Sequence, residues 1–255
     1  MKDRSGIGSY EKSAHLYDLF DRKANIEFFS RYASQTKEVL DIGAGTSRIA
    51  LPLARRGVKV VCVEPSPAMR REFEIKLSQQ PDLSSHIHLV AGKANSFTLR
   101  RTFSVAFLSG SFDHFLDDKE RISSLANIAR HLDTKGTLVF DVFLGLMGDS
   151  PLSRAGRVRV WTKEYRRLVG GKVLPGRKKE TQLVFQAYED GELVERIEEI
   201  SLVGISNRAG VHRVLAESGF AVREEWGDYD FTSYQEGDSL MVVEAVKRDC
   251  AHAMT

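Results

Sequence analysis

Asp41, Gly43 and Gly45, spaced Asp41-x-Gly43-x-Gly45, and Glu64 further on are the residues whose types and spacing most directly imply chemistry. Residues 39–57 read as an apolar run, a glycine-rich turn and an amphipathic stretch. Glycines crowded between a strand and a helix let the backbone come close to a ligand. A phosphate loop needs Gly-Lys-Ser/Thr, and Gly43-Ala44-Gly45-Thr46-Ser47-Arg48 has no lysine. A dinucleotide fingerprint needs a third glycine where Arg48 stands, and an acid before the turn offers an anionic pyrophosphate nothing. A ligand without phosphate that carries positive charge turns Asp41 into an asset. Glu64 closes the second apolar run, where a carboxylate can accept hydrogen bonds from both hydroxyls of a ribose. NAD shares that requirement, so Glu64 alone does not separate the ligand classes.

His114, in Ser109-Gly110-Ser111-Phe112-Asp113-His114, is the candidate general base, because the pKa of imidazole lies near neutrality. The bland alternative is that it caps or orients its loop. Asp113 could orient His114 or a substrate amine, although an acid just before a helix is also a cap. The other histidines show no metal-ligand spacing, and Cys62 and Cys250 are far apart, so no metal site is expected.

Elements must hold these groups in place. Apolar runs at 38–41, 58–64, 87–91, 105–109 and 137–143 alternate with helical patterns at 49–56, 67–79 and 119–131. Continuous Val/Leu/Ile/Phe runs joined by helices are the pattern of parallel strands covered on both faces. Pro67 and Asp118 stand where helices should start, and Lys135-Gly136 reads as a helix-to-strand stop. Two short helices are expected at 12–21 and 25–33. After Gly156 the rhythm changes to longer alternating segments at 157–169, 181–188 and 193–205, with a hairpin turn at Glu189-Asp190-Gly191-Glu192. A helix at 208–218 and strands at 221–226 and 240–246 return to the main sheet. The expected division is a core with N-terminal helices (1–150), an antiparallel cap (151–206), the last helix and two strands (207–247) and a tail (248–255).

The cap's first half is rich in Arg and Lys, from Arg154 to Lys179, and its second half in Glu. Either opposite charges face each other across the paired strands, or some arginines reach the pocket to grip an anion. Whole-chain composition, with 42% hydrophobic and 28% charged residues, is ordinary for a globular protein. A formal charge of +2 is too small to imply nucleic acid or a membrane surface. No apolar leader and no run near ~18 apolar residues is seen. With only two cysteines, the expectation is a reduced, cytoplasmic protein.

Asp41-x-Gly43-x-Gly45, Glu64 and Lys135-Gly136, set in residues 39–70 and 107–143, resemble the class I S-adenosylmethionine-dependent methyltransferases over most of residues 10–145. S-adenosylmethionine has no phosphate and carries an α-ammonium and a sulfonium, which suits Asp41. The C-terminal end, with Glu217-Ser218-Gly219-Phe220 and Leu240-Met241-Val242-Val243, is similar to a small-molecule branch that includes sugar-amine and glycine-type N-methyltransferases. The resemblance implies an α/β fold with a doubly wound, seven-stranded, mostly parallel Rossmann-like sheet, and an antiparallel cap between the fifth and sixth strands. It implies that Asp41, Gly43, Ala44 and Gly45 line the methionine end, Glu64 binds the ribose, and Pro65 and Met69 flank the adenine. Ser109 and Gly110 would lie near the sulfonium, and Tyr17, of Tyr17-Asp18, would close over the cofactor. Ser47 stands where a third glycine is usual, which implies a wider turn or a helix starting one residue early. Lys93 replaces an acid that takes the adenine amino group, so that contact passes to Asn95, Ser96 or a backbone carbonyl.

The implied reaction moves a methyl group to nitrogen or oxygen of a small-molecule acceptor, with His114, Tyr229 and Asp230 lining the acceptor side. Nucleic acid and membrane are not expected partners; a homodimer stays open. The rival readings are a non-catalytic binder of S-adenosylmethionine or a nucleoside, and an NAD(P)-dependent oxidoreductase. Arg48 and the absence of a Tyr-x-x-x-Lys dyad count against the last.

Overall fold

Alternate residues of the central strands are apolar on both faces, and the chain wraps helices over each. The computed structural model describes residues 10–20 and 25–249. Strands β1 (Glu38–Ile42), β2 (Lys59–Glu64), β3 (Ile87–Ala91), β4 (Phe103–Leu108) and β5 (Leu132–Phe143) are mutually parallel. With β10 (Phe220–Trp226) and β11 (Leu240–Lys247), which run antiparallel at one edge, they form a seven-stranded sheet ordered β10-β11-β5-β4-β1-β2-β3. Leu40 and Ile42 point into one core with Leu125, Ile128, Val211 and Leu215 of α5 (Asp118–Arg130) and α6 (Arg208–Glu217). Val39, Val60 and Phe107 point the other way, onto Phe28 and Phe29 of α2 (Ile26–Ala33) and Leu53 of α3 (Ala50–Arg55). The period of two along each strand thus makes the sheet doubly wound.

Helix starts follow their caps. The Ser66 hydroxyl accepts from Met69 N (3.3 Å) with Pro67 in the first turn of α4 (Pro67–Ser78). Asp117 caps α5 through Glu120 N (2.9 Å), and Glu120 reaches back to Leu116 N (2.9 Å). Helix α1 (Ala14–Phe20) begins two residues later than the pattern indicated; position 21 lies outside the described residues, as does Cys250 in the tail. Lys135-Gly136 is not the stop before β5 but lies inside it. Lys135 takes φ +60° there, where pairing with β4 shifts register.

The cap is a four-stranded antiparallel sheet, β6 (Ser150–Val160), β7 (Lys163–Leu174), β8 (Lys178–Glu189) and β9 (Glu192–Gly204), in sequence order. The segment 157–169 is therefore two strands and not one. The chain reverses at Trp161 (φ +56°) and Thr162, while the expected turn at Asp190 (φ +51°) and Gly191 (φ +89°) joins β8 to β9. The charge pattern pairs only in part. Arg159 faces Glu164 and Lys172 faces Glu180, but Arg157 faces Arg166, and acidic β9 sits beside β8, away from basic β6. Glu164 offsets the like charges by binding both Arg157 and Arg166. The cap leans on α1: Phe20 stacks near Phe185 (5.8 Å) and over Gly156, where a Cβ would come within 2.7 Å of its ring. Among the described residues, no helix is long and apolar enough to cross a membrane.

Candidate functional site

The C-terminal ends of β1, β2 and β4 open into a crevice. This is where an open α/β sheet places its ligands. The backbone of the turn after β1 alternates in hand: Gly43 has φ +70°, Gly45 +57° and Ser47 +79°. At Gly43 no side chain fits, since a Cβ would lie 2.2 Å from Ser111 Oγ, which itself donates to the carbonyls of Gly43 (3.3 Å) and Ser109 (3.2 Å). The turn and the tip of β4 are thus in direct contact. Ser47 neither widens the turn nor starts the helix early. It adopts the left-handed backbone itself, and α3 begins only at Ala50.

Two carboxylates stand beneath this turn. Glu64, buried at the end of β2, accepts from Gly45 N and Ser66 N, each at 2.8 Å and each on a different oxygen. Burial raises its pKa above the ordinary carboxylate value, and the two amides pull against that rise. Each oxygen keeps a second lone pair. Asp41 is 2% exposed, and its Oδ2 has no hydrogen-bond partner among the described residues. Burial pushes its pKa up to about 7, against the opposing charge of Arg48 and with the like charge of Glu64.

A buried polar chain backs the tip of β4. Asp141, fully buried on β5, accepts from Ser109 Oγ (3.2 Å), Gly110 N and Tyr229 Oη (2.7 Å). Asn25 donates to Ser109 Oγ (3.0 Å) and accepts from Arg48 Nη1 (2.6 Å). On the other flank Asp18 accepts from Thr46 Oγ1 (2.7 Å) and pairs with Lys76, which also donates to Thr46 O (2.8 Å). Tyr17-Asp18 is thereby tied to the glycine turn. Tyr10 meets Tyr17 edge-to-face at 5.4 Å and His114 at 6.2 Å.

Of the residues expected from sequence, Tyr17, Asp41, Gly43, Ala44, Gly45, Glu64, Pro65, Met69, Asn95, Ser109, Gly110 and His114 all line this one crevice. Ser96 is exposed and outside the lining. Tyr229 and Asp230 do not line it either. Tyr229 is held behind β4 by Asp141, and its phenol pKa is raised by burial and that carboxylate, while Asp230 is exposed. Asp113 accepts from Phe143 N (3.1 Å), which anchors its loop to β5. No basic residue of the cap lines the crevice. Asn25, Arg48, Tyr10 and Asp141 join the site although sequence reasoning had not selected them. Only Asp141 carried a signal, as a lone acid inside the apolar run Leu138-Val139-Phe140-Asp141-Val142-Phe143.

Sheet order and cap are those of the class I S-adenosylmethionine-dependent methyltransferase fold, and residues 39–136 match a methyltransferase domain. Among solved structures the chain is similar to the CcbJ methyltransferase of Streptomyces caelestis, with TM-score 0.79, 20% identity, and coverage of 97% of this chain and 100% of that one. It is also similar to a sugar N-methyltransferase of Streptoalloteichus, with TM-score 0.71, 23% identity, and coverage of 91% and 93%. The cypemycin N-terminal methyltransferase of Streptomyces is 30% identical over 121 residues, covering 47% of this chain and 46% of that relative. The matched segment spans less than half the length of the first curated relatives.

Proposed function

We propose that this chain transfers the methyl group of S-adenosylmethionine to an amine nitrogen of a small-molecule acceptor. One observation carries the reading: the unsatisfied Oδ2 of Asp41, buried beneath a glycine turn. A buried carboxylate without a donor is costly, and an ammonium group delivered by the ligand removes that cost. Phosphate or pyrophosphate would add to the repulsion instead. Glu64, with spare lone pairs at the end of β2, suits the ribose hydroxyls, and Met69 with Asn95 suits the adenine. The residues present therefore fit S-adenosylmethionine.

When bound, that cofactor supplies a methyl carbon activated by a sulfonium. The chain's own part is to hold the acceptor in line in a dry space and to move its proton. Ser109 and Gly110, fixed from behind by Asp141, form a rigid wall at the tip of β4. Tyr17 of α1 and Tyr10, in the turn before it, cover the crevice and exclude water. His114, beside them, takes the proton an acceptor ammonium must lose before its nitrogen can attack. The sugar N-methyltransferase and the N-terminal methyltransferase among the similar proteins support nitrogen as the acceptor atom.

Calorimetric titration of the purified chain tests the cofactor half of the reading. S-adenosylhomocysteine should bind and NADH should not; the reverse result ends the proposal. Transfer of radiolabelled methyl to a panel of amino sugars, amino acids and hydroxylated analogues tests the acceptor half. Label appearing on hydroxyls alone would overturn the assignment to nitrogen.

A further inference from the structure

We propose that Asp141, whose buried carboxylate stands behind Ser109 and Gly110, makes the crevice hold a sulfonium more tightly than the uncharged thioether left after transfer. The inference rests on the S-adenosylmethionine reading above and goes beyond it, to the choice between cofactor and product. It begins from an acid in apolar surroundings. Asp141 is fully buried in β5, between Phe140 and Val142, which are fully buried too. An ionised carboxylate is costly in such a place, and a neutral asparagine could supply an acceptor there at lower cost. The hydrogen bonds of Asp141 nevertheless fix it as an anion. Gly110 N and the Tyr229 hydroxyl (2.7 Å) both donate to it. Burial and the carboxylate itself raise the pKa of that phenol, so Tyr229 keeps its proton. Ser109 Oγ receives a hydrogen bond from Asn25 Nδ2 at 3.0 Å, which leaves its own hydrogen to point at Asp141, 3.2 Å away. Three donors thus converge on two oxygens, and a carboxyl group that only accepts is ionised.

No Lys, Arg or His side chain forms an ion pair with Asp141 among the described residues. Arg48 is linked to it through Asn25 and Ser109. Ser109 and Gly110 line the crevice, so the charge stands one residue behind its wall. The layer between is protein, where attraction is screened far less than in water. The sheet order sets this wall beside the right part of the ligand. β4 flanks β1 on the side away from β2. With an ammonium at Asp41 of β1 and a ribose at Glu64 of β2, the sulfur joining them crosses above the end of β1, next to the tip of β4. Asp141 therefore favours a positive charge at that atom, whichever element bears it, and gains nothing from a neutral sulfur.

The test compares S-adenosylmethionine, sinefungin and S-adenosylhomocysteine. In sinefungin a carbon bearing an ammonium replaces the methylated sulfur, and S-adenosylhomocysteine is neutral at that atom. Each is titrated calorimetrically into the wild-type chain, Asp141→Asn and Tyr229→Phe, with thermal melts to verify folding. Asparagine keeps an acceptor for Gly110 N and removes the charge, whereas phenylalanine removes one donor and keeps the charge. A unit charge behind the wall should favour the two cationic ligands by about 5- to 30-fold. Asp141→Asn should weaken both by that factor and change S-adenosylhomocysteine by about twofold or less. Tyr229→Phe should retain the preference. Equal weakening of all three ligands by Asp141→Asn, or a preference that survives it, overturns the assignment while the cofactor reading stands. So does loss of the preference in Tyr229→Phe, which would trace it to the hydrogen-bonded wall and not to the charge. Equal affinity of the wild type for S-adenosylmethionine and S-adenosylhomocysteine overturns it even if neither variant folds. Failure of all three ligands to bind the wild type overturns the cofactor reading and this inference together.

Discussion

Burial disfavours the anion of Asp41, and this makes its titration a reporter of ligand binding. Its folded-state pKa, pushed up to about 7, lies above the unfolded value, so the empty protein binds a proton there that the unfolded chain releases at lower pH. The contribution of this group to stability is therefore present at low pH and lost as pH rises through about 7. A cationic ligand reverses the preference, because it binds the ionised form. Affinity for S-adenosylhomocysteine should rise from pH 5 to pH 7 and level off above it, as Asp41 ionises. Asp41→Asn should flatten the acid limb and weaken binding by about tenfold or more at pH 7.5, read by titration calorimetry. A binding curve independent of pH between 5 and 7 would exclude the ion pair. His114, the proposed base, is assigned to a different step. His114→Ala should reduce turnover by about 10²-fold with the cofactor dissociation constant unchanged. A rate untouched across pH 6–9 would remove it as the base. Asp41 and Glu64 were legible in the sequence because residue type and position relative to a strand end sufficed. Asp141 stood out only as a lone acid in an apolar run, and its role was not legible, because its partners Ser109, Gly110 and Tyr229 come from segments far apart in the chain.

At the scale of elements, the glycine turn shows what a departure from pattern does and does not change. Ser47 accepts a φ of +79° that a glycine would take without strain, so the cost of the left-handed backbone is carried in stability. Ser47→Gly should raise the stability of the empty protein by about 1 kcal/mol and its melting temperature by a few degrees, with cofactor affinity nearly unchanged. An unaltered melting temperature would mean that the Ser47 hydroxyl, which donates to Thr46 O, offsets the strain. The strands of the main sheet were readable because both-face burial writes a continuous apolar run. The hairpin at Trp161 was not. No Gly, Asn, Asp or Pro stands between Val160 and Tyr165, and the reversal is made by a tryptophan at φ +56°, where such a residue would have announced a turn. The pairing of Arg157 with Arg166 follows from that unseen turn, since folding the segment on itself sets like charges opposite each other.

Across the whole molecule the cap acts on the site without lining it. Its link is α1, whose neighbourhood supplies Tyr10 and Tyr17 to the crevice and Asp18 to the glycine turn. Glu199 of β9, buried, accepts from Lys12 N (2.8 Å) and from the Ser13 hydroxyl at the start of α1, while Phe185 of β8 packs on Phe20 at its end. The cap therefore clamps both ends of the helix that covers the cofactor space. Loosening this clamp from a distance should be felt at the crevice. Glu199→Ala should leave the main sheet intact, because the cores around Leu40 and Val39 include no residue of β9. It should nevertheless speed amide exchange across residues 12–20 and weaken S-adenosylhomocysteine binding by about 3- to 10-fold, since part of the binding energy would be spent on ordering α1. Glu199→Gln, which keeps an acceptor for Lys12 N, should recover most of the affinity. Faster exchange with unchanged affinity would show that α1 covers the crevice without contributing to ligand retention, and would assign the clamp to stability alone.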